Sequence, residues 1–82
     1  MFRTLVKTET VAVEGQNYPV RYFELRTLTG GRRYSAEILL APGDRIILDD
    51  DSVTNLETRT TRLVPATVYS RMLAGHASAT AA

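Results

Sequence analysis

Asp44, Asp49, Asp50 and Asp51 form the densest group of potential cation ligands in the sequence. A calcium loop of the EF-hand kind needs oxygen ligands at alternate positions, a glycine at the sixth and a glutamate at the twelfth. Counted from Asp49, those two positions hold Thr54 and Thr60, so the motif fails. The aspartates read instead as a turn followed by a helix cap. A second acidic group is the pair Glu24 and Glu37, which become cross-strand neighbours if their segments form a hairpin. Two carboxylates so placed could serve acid–base or glycoside chemistry. Lys7 falls beside Glu24 in that arrangement and Arg26 lies two positions on, so compensated surface charge is the simpler expectation.

Arginine is the other chemically useful type here, because its planar fork suits phosphates and base edges. Arg32 and Arg33 sit at a glycine-rich hairpin tip, Arg21 and Arg26 precede it, and Tyr22 and Tyr34 could stack on bases. The carboxylates nearly balance these cations, with Glu24, Glu37 and Glu57 among them. His76 has no serine or cysteine beside it, and Gly30-Gly31 is not followed by the Gly-Lys-Ser/Thr of a phosphate loop. The absence of cysteine removes thiolate catalysis and thiolate metal centres, and one histidine cannot make a His-rich site. No catalytic residue, metal site or cofactor is therefore expected.

These residues must be positioned by a chain of 82 residues, enough for one domain whose core is marginal without reinforcement. Disulfides being impossible, self-association is the remaining common reinforcement. A net charge of +1 gives no global pull toward nucleic acid or an acidic membrane. No apolar run reaches the ~18–20 residues that cross a bilayer, and the first residues lack the apolar stretch of a secretory signal. A cytoplasmic location with no membrane partner is the expectation.

Turn signals at Glu14-Gly15-Gln16-Asn17, Thr29-Gly30-Gly31 and Ala41-Pro42-Gly43-Asp44 divide a stretch rich in β-formers. This predicts strands at 2–13, 18–28, 33–40 and 45–49 joined by hairpins. A two-residue loop at Gly30-Gly31 sets Thr27 against Tyr34, Leu25 against Ala36 and Phe23 against Ile38 on one apolar face. Glu24 and Glu37 then share the opposite face with Arg26 and Ser35. A tight turn at Pro42-Gly43 adds Ile47 to the core side and leaves Leu39, Ile46 and Leu48 on the other. A first turn at Gly15-Gln16 brings Val6 to Leu25 in the core and collects Val11, Val13, Val20 and Tyr22 on the second side.

Beyond Asp51 the period becomes helical. Asp51 or Ser52 can cap, and Val53, Leu56, Leu63 and Val64 recur on one side, with Thr60 between. Pro65 interrupts this run and predicts a kink or two short helices. Val68, Tyr69, Met72 and Leu73 continue the stripe to a stop at Gly75, leaving residues 76–82 as a disordered tail.

The run Ala41-Pro42-Gly43-Asp44-Arg45-Ile46-Ile47-Leu48 resembles the Pro-Gly-Asp turn of small β-domains, including swapped-hairpin transcription factors of the AbrB type. The resemblance is confined to that run and implies no functional residue.

The expected protein is thus one α+β domain over residues 1–75. Its four-stranded antiparallel β-meander is followed by a kinked or two-piece C-terminal helical segment. A single helix covers one sheet face, so the second apolar face (Val11, Val13, Val20, Tyr22, Leu39, Ile46 and Leu48) is surplus. Surplus apolar surface marks a partner or a second copy. A non-enzymatic interaction or regulatory module, homodimeric through that face, is the expected function. The alternative is a nucleic-acid-binding regulator with Arg21, Arg26, Arg32 and Arg33 as contacts.

Overall fold

The computed structural model describes the backbone from Phe2 to Ala81 and the side chains from Arg3 to Ala74. Four strands, β1 (Phe2–Val13), β2 (Gln16–Arg26), β3 (Arg32–Ala41) and β4 (Asp44–Asp50), precede one helix, α1 (Val53–Ala81). The strands pair in sequence order, each antiparallel to the next, so β1 and β4 are the sheet edges. This is the α+β meander that the turn spacing predicts.

Each turn fixes a register. At the first, Glu14 and Gly15 have φ values of 52° and 77°, the two left-handed residues of a type I′ turn, and Val13 pairs with Gln16. At the third, Pro42 presets its own φ and Gly43 adopts φ 79°, which closes the type II turn between Ala41 and Asp44. The second is longer. Residues 27–31 form a loop in which the Thr27 N–H donates to the Gly31 carbonyl at 2.9 Å, and the Gly30 N–H to the Thr27 carbonyl at 3.1 Å. The Thr27 hydroxyl oxygen also accepts the Gly31 N–H at 2.9 Å.

The helix is capped by Ser52, whose Oγ accepts the Asn55 N–H at 3.2 Å, while the Asp50 carboxylate accepts the Asn55 side-chain amide at 3.1 Å. Leu56, Thr60, Val64 and Val68, four apart and on one helical stripe, are buried against the sheet. They meet Val13, Val20, Tyr22, Ala36 and Ile38, with Val11, Tyr18, Tyr34, Leu40, Ile46, Leu48, Val53 and Leu63 packed around them. Just past Val68, α1 is tied to two hairpin turns, through Tyr69 to Glu14 and through Arg71 to Asp44 at 2.9 Å. Beyond those ties Met72 and Leu73 are exposed.

The structure corrects several expectations. The helical segment is one helix with Pro65 inside it, not two pieces, and it continues past Gly75. Pro65 deprives the Thr61 carbonyl of its N–H donor, but Thr61 is exposed, where solvent can replace the bond. The backbone of residues 76–81, expected as a tail, belongs to α1, and the side chains there lie outside the described residues. The five-residue loop changes the β2–β3 register by an odd number of positions, pairing Tyr22 with Ala36 and Phe23 with Ser35. A bulge between Leu39 and Ala41 makes a similar shift on β4, so Ile46 pairs with Ile38 and Leu48 with Ala36. An odd shift moves every side chain to the other face.

Candidate functional site

The corrected registers give the sheet two unlike faces. Six of the residues expected on a surplus face, Val11, Val13, Val20, Tyr22, Ile46 and Leu48, lie on the α1 side as core or its margin. Only Leu39 of that set is on the open face. There it joins Phe23, Leu25 and Ile47, which the shorter loop and unbulged turn had assigned to the core.

Rows across the open face follow from the pairing. Arg3, Leu25 and Arg33 form one; Leu5, Phe23, Ser35 and Asp49 the next; Thr8, Arg21, Glu37 and Ile47 a third; and Leu39 with Arg45 a fourth. The centre is buried although no backbone covers it: Phe23 and Glu37 are each 6% exposed. Arginine side chains form the cover. The Arg3 guanidinium lies 3.9 Å above the centre of the Phe23 ring, and that of Arg21 5.6 Å from it. Arg21 hydrogen-bonds the Glu37 carboxylate, and Arg3 and Arg45 stand 3.6 and 3.8 Å from its other oxygen. The Arg21 hydrogen bond holds the Glu37 carboxyl below the usual carboxylate range, and the charges of Arg21, Arg45 and Arg3 add to it against the opposing effect of burial. Around this centre Leu5, Leu39 and Ile47 are 52%, 42% and 56% exposed. Sequence reasoning missed Phe23, Glu37, Arg3 and Arg45 as a group. The signal was there: the expected register put Glu24 on Glu37, like against like, whereas the observed one puts Arg21 there.

The α1 side carries its own polar group at the sheet margin. The Lys7 ammonium donates to Glu57 on α1 and to Glu9 at 2.8 Å, which pushes the lysine pKa well above its ordinary value, Glu57 contributing most. The Tyr22 hydroxyl donates to Glu9 at 3.2 Å, and burial raises its pKa. These groups are mutually engaged and join helix to sheet. The buried Thr60 hydroxyl nearby makes no hydrogen bond.

The other proposed sites come apart. Glu24 and Glu37 project from opposite faces, so no carboxylate pair exists. Arg26 and Arg32 share Glu24 on one face while Arg21 and Arg33 project from the other toward Glu37 and Asp51, so these four arginines form no single patch. Tyr22 is fully buried and offers no ring for stacking. Of the aspartates, Asp44 pairs with Arg71, Asp50 with Arg59 and Asp51 with Arg33. Among the described residues no cluster has the make-up of a metal site. His76 has its side chain outside the described residues. Among the described residues no helix is long and apolar enough to cross a membrane. Compared with protein-family models, curated proteins and solved structures, the chain matches none.

Proposed function

We propose that this chain is a non-enzymatic protein-interaction module whose contact surface is the open face of its sheet. The observation that carries the reading is the arrangement of Leu5, Leu39 and Ile47, large and about half exposed, around an arginine cluster that no backbone covers. Arginine is enriched among the anchors of protein interfaces, and the fully buried centre of an interface is more apolar than the surrounding surface. The cluster is also pre-shaped: Arg3 is stacked on Phe23 and Arg21 is bonded to Glu37, so less side-chain entropy is lost on contact. A nucleic-acid reading is less well supported, because the arginines are divided between faces and engaged by carboxylates.

Photo-crosslinking in cells tests this reading. A photoreactive residue at Leu39 is expected to give a discrete protein adduct, while one at Thr58, exposed on α1, gives none. Equal adducts from both positions, or none from Leu39, would reject the open face as the contact surface.

A further inference from the structure

We propose that two copies of this chain join edge to edge through β4, about a two-fold axis at Ile47, into one continuous eight-stranded sheet. The seam takes Arg45 and Ile47 from the margin of the open face but not Leu5, Phe23 or Leu39, so the dimer mass tests this proposal and the Leu39 crosslink tests the functional reading.

The two sheet edges differ. β1 is bulged between Leu5 and Lys7, a feature that twists an edge away from further pairing. β4 pairs without interruption from Arg45 to Asp50 and carries Ile46, Ile47 and Leu48 at its middle. Its outward backbone groups can be assigned. The Arg59 guanidinium donates to the Asp49 carbonyl at 2.7 Å from outside the β3–β4 ladder. Antiparallel ladders alternate, so Asp49, Ile47 and Arg45 direct their N–H and C=O groups outward.

The strand is complementary to itself in one register. An axis through Ile47 sets Ile47 against Ile47 of the second copy, Arg45 against Asp49 and Asp49 against Arg45. All three are outward-bonding residues, so each open N–H and C=O finds a partner, the Asp49 carbonyl accepting the Arg45 N–H on its second lone pair beside the Arg59 guanidinium. The same axis places opposite charges directly across from one another, an arrangement that stabilises a strand pair. On the α1 side it sets Ile46 beside Leu48 of the other copy. Asp44 would meet Asp50, but each is already neutralised within its own chain, by Arg71 and Arg59.

A groove beside the edge fits the same occupant. Leu48, Leu63 and Ala66 floor an open cavity of about 400 Å³ rimmed by Arg59 and Arg62. Arg59 reaches Asp49 and Arg71 reaches Asp44, so the middle of β4 lies level with the stretch of α1 around Leu63. The two-fold axis therefore brings the Leu48–Leu63 grooves of both copies together, and each closes the other.

Light scattering after size exclusion tests this with a charge swap. Wild type is expected at about twice the 9.1 kDa chain mass. Arg45→Asp and Asp49→Arg are each expected to run as monomers. The double variant, and an equimolar mixture of the two single variants, are expected to recover the dimer mass. Circular dichroism of each single variant establishes that the fold is kept. In a separate variant, Ile47→Cys is expected to form a disulfide-linked dimer under mild oxidation, since hydrogen-bonded cross-strand pairs stand ~5.5 Å apart between Cα atoms. A wild-type monomer at high micromolar concentration would overturn the proposal. So would a dimer indifferent to Arg45→Asp, or single variants that do not complement each other.

Discussion

The two faces of the sheet solve the same problem with different means. On one, α1 lays Leu56, Thr60, Val64 and Val68 over Val20, Tyr22, Ala36 and Ile38, and apolar surface is removed from water by backbone-borne packing. On the other, the guanidinium groups of Arg3 and Arg21 lie over Phe23 and reach Glu37, their side chains remaining about half exposed. The first cover is fixed by four turns of helix and cannot leave without unfolding. The second consists of side chains held on Phe23 and Glu37 and open to solvent. Stability belongs to the first face, and the recognition proposed here falls to the second.

The strongest way to break that contrast is truncation on the helix-covered side. Leu56→Ala is expected to cost about 3 kcal/mol in urea unfolding, because the residue is fully buried and a cavity remains. A loss no greater than that of an open-face change would show that α1 is not the cover. The helix itself can be strengthened. Pro65→Ala restores an N–H to the Thr61 carbonyl and is expected to raise stability by about 1–3 kcal/mol, provided α1 runs straight through this point as one helix. Unchanged or lower stability would mean that the proline conformation is needed.

On the arginine-covered side the expected effect is a pH dependence. Glu37 is held below its ordinary value of 4.5 in the folded chain, so its contribution is present above that value and is lost as the pH falls through the lowered one. Glu37→Gln is therefore expected to flatten the acid side of the stability curve below about pH 4.5. An unaltered acid limb would sever Glu37 from its arginines. The smallest effect is expected from Leu39→Ser, within about 0.5 kcal/mol, since this side chain already meets water. A cost comparable to Leu56→Ala would place Leu39 in a core.

The fold class was legible in the sequence because it depends on turn chemistry and period, which are local. Three turn signals and a change to helical spacing after Asp51 suffice for a meander and a helix. Even the grouping of Val11, Val13, Val20 and Tyr22 holds, since the first turn, at Glu14-Gly15 rather than Gly15-Gln16, moves the pairing by an even number of positions. The site was not legible, because it depends on parity. One loop with Thr27 folded back onto Gly31, and one bulge at Leu40, exchange the faces of β2 and β4 relative to β3. Loop length and bulges are decided by backbone hydrogen bonds that residue type constrains only weakly. The two-piece alternative at Pro65 fails for a related reason: packing of Leu56, Thr60, Val64 and Val68 on both sides of the proline outweighs one missing bond.

The contrast between the faces is tested most directly by thiol reactivity, since the chain has no cysteine of its own. Val20 and Leu39 belong to one apolar surface by sequence and to opposite faces by structure, at 0% and 42% exposure. Leu39→Cys is expected to react with a thiol reagent in the native state at a rate approaching that of the unfolded chain. Val20→Cys is expected to react only on unfolding. Native-state labelling of both at similar rates would contradict the assignment of the two faces.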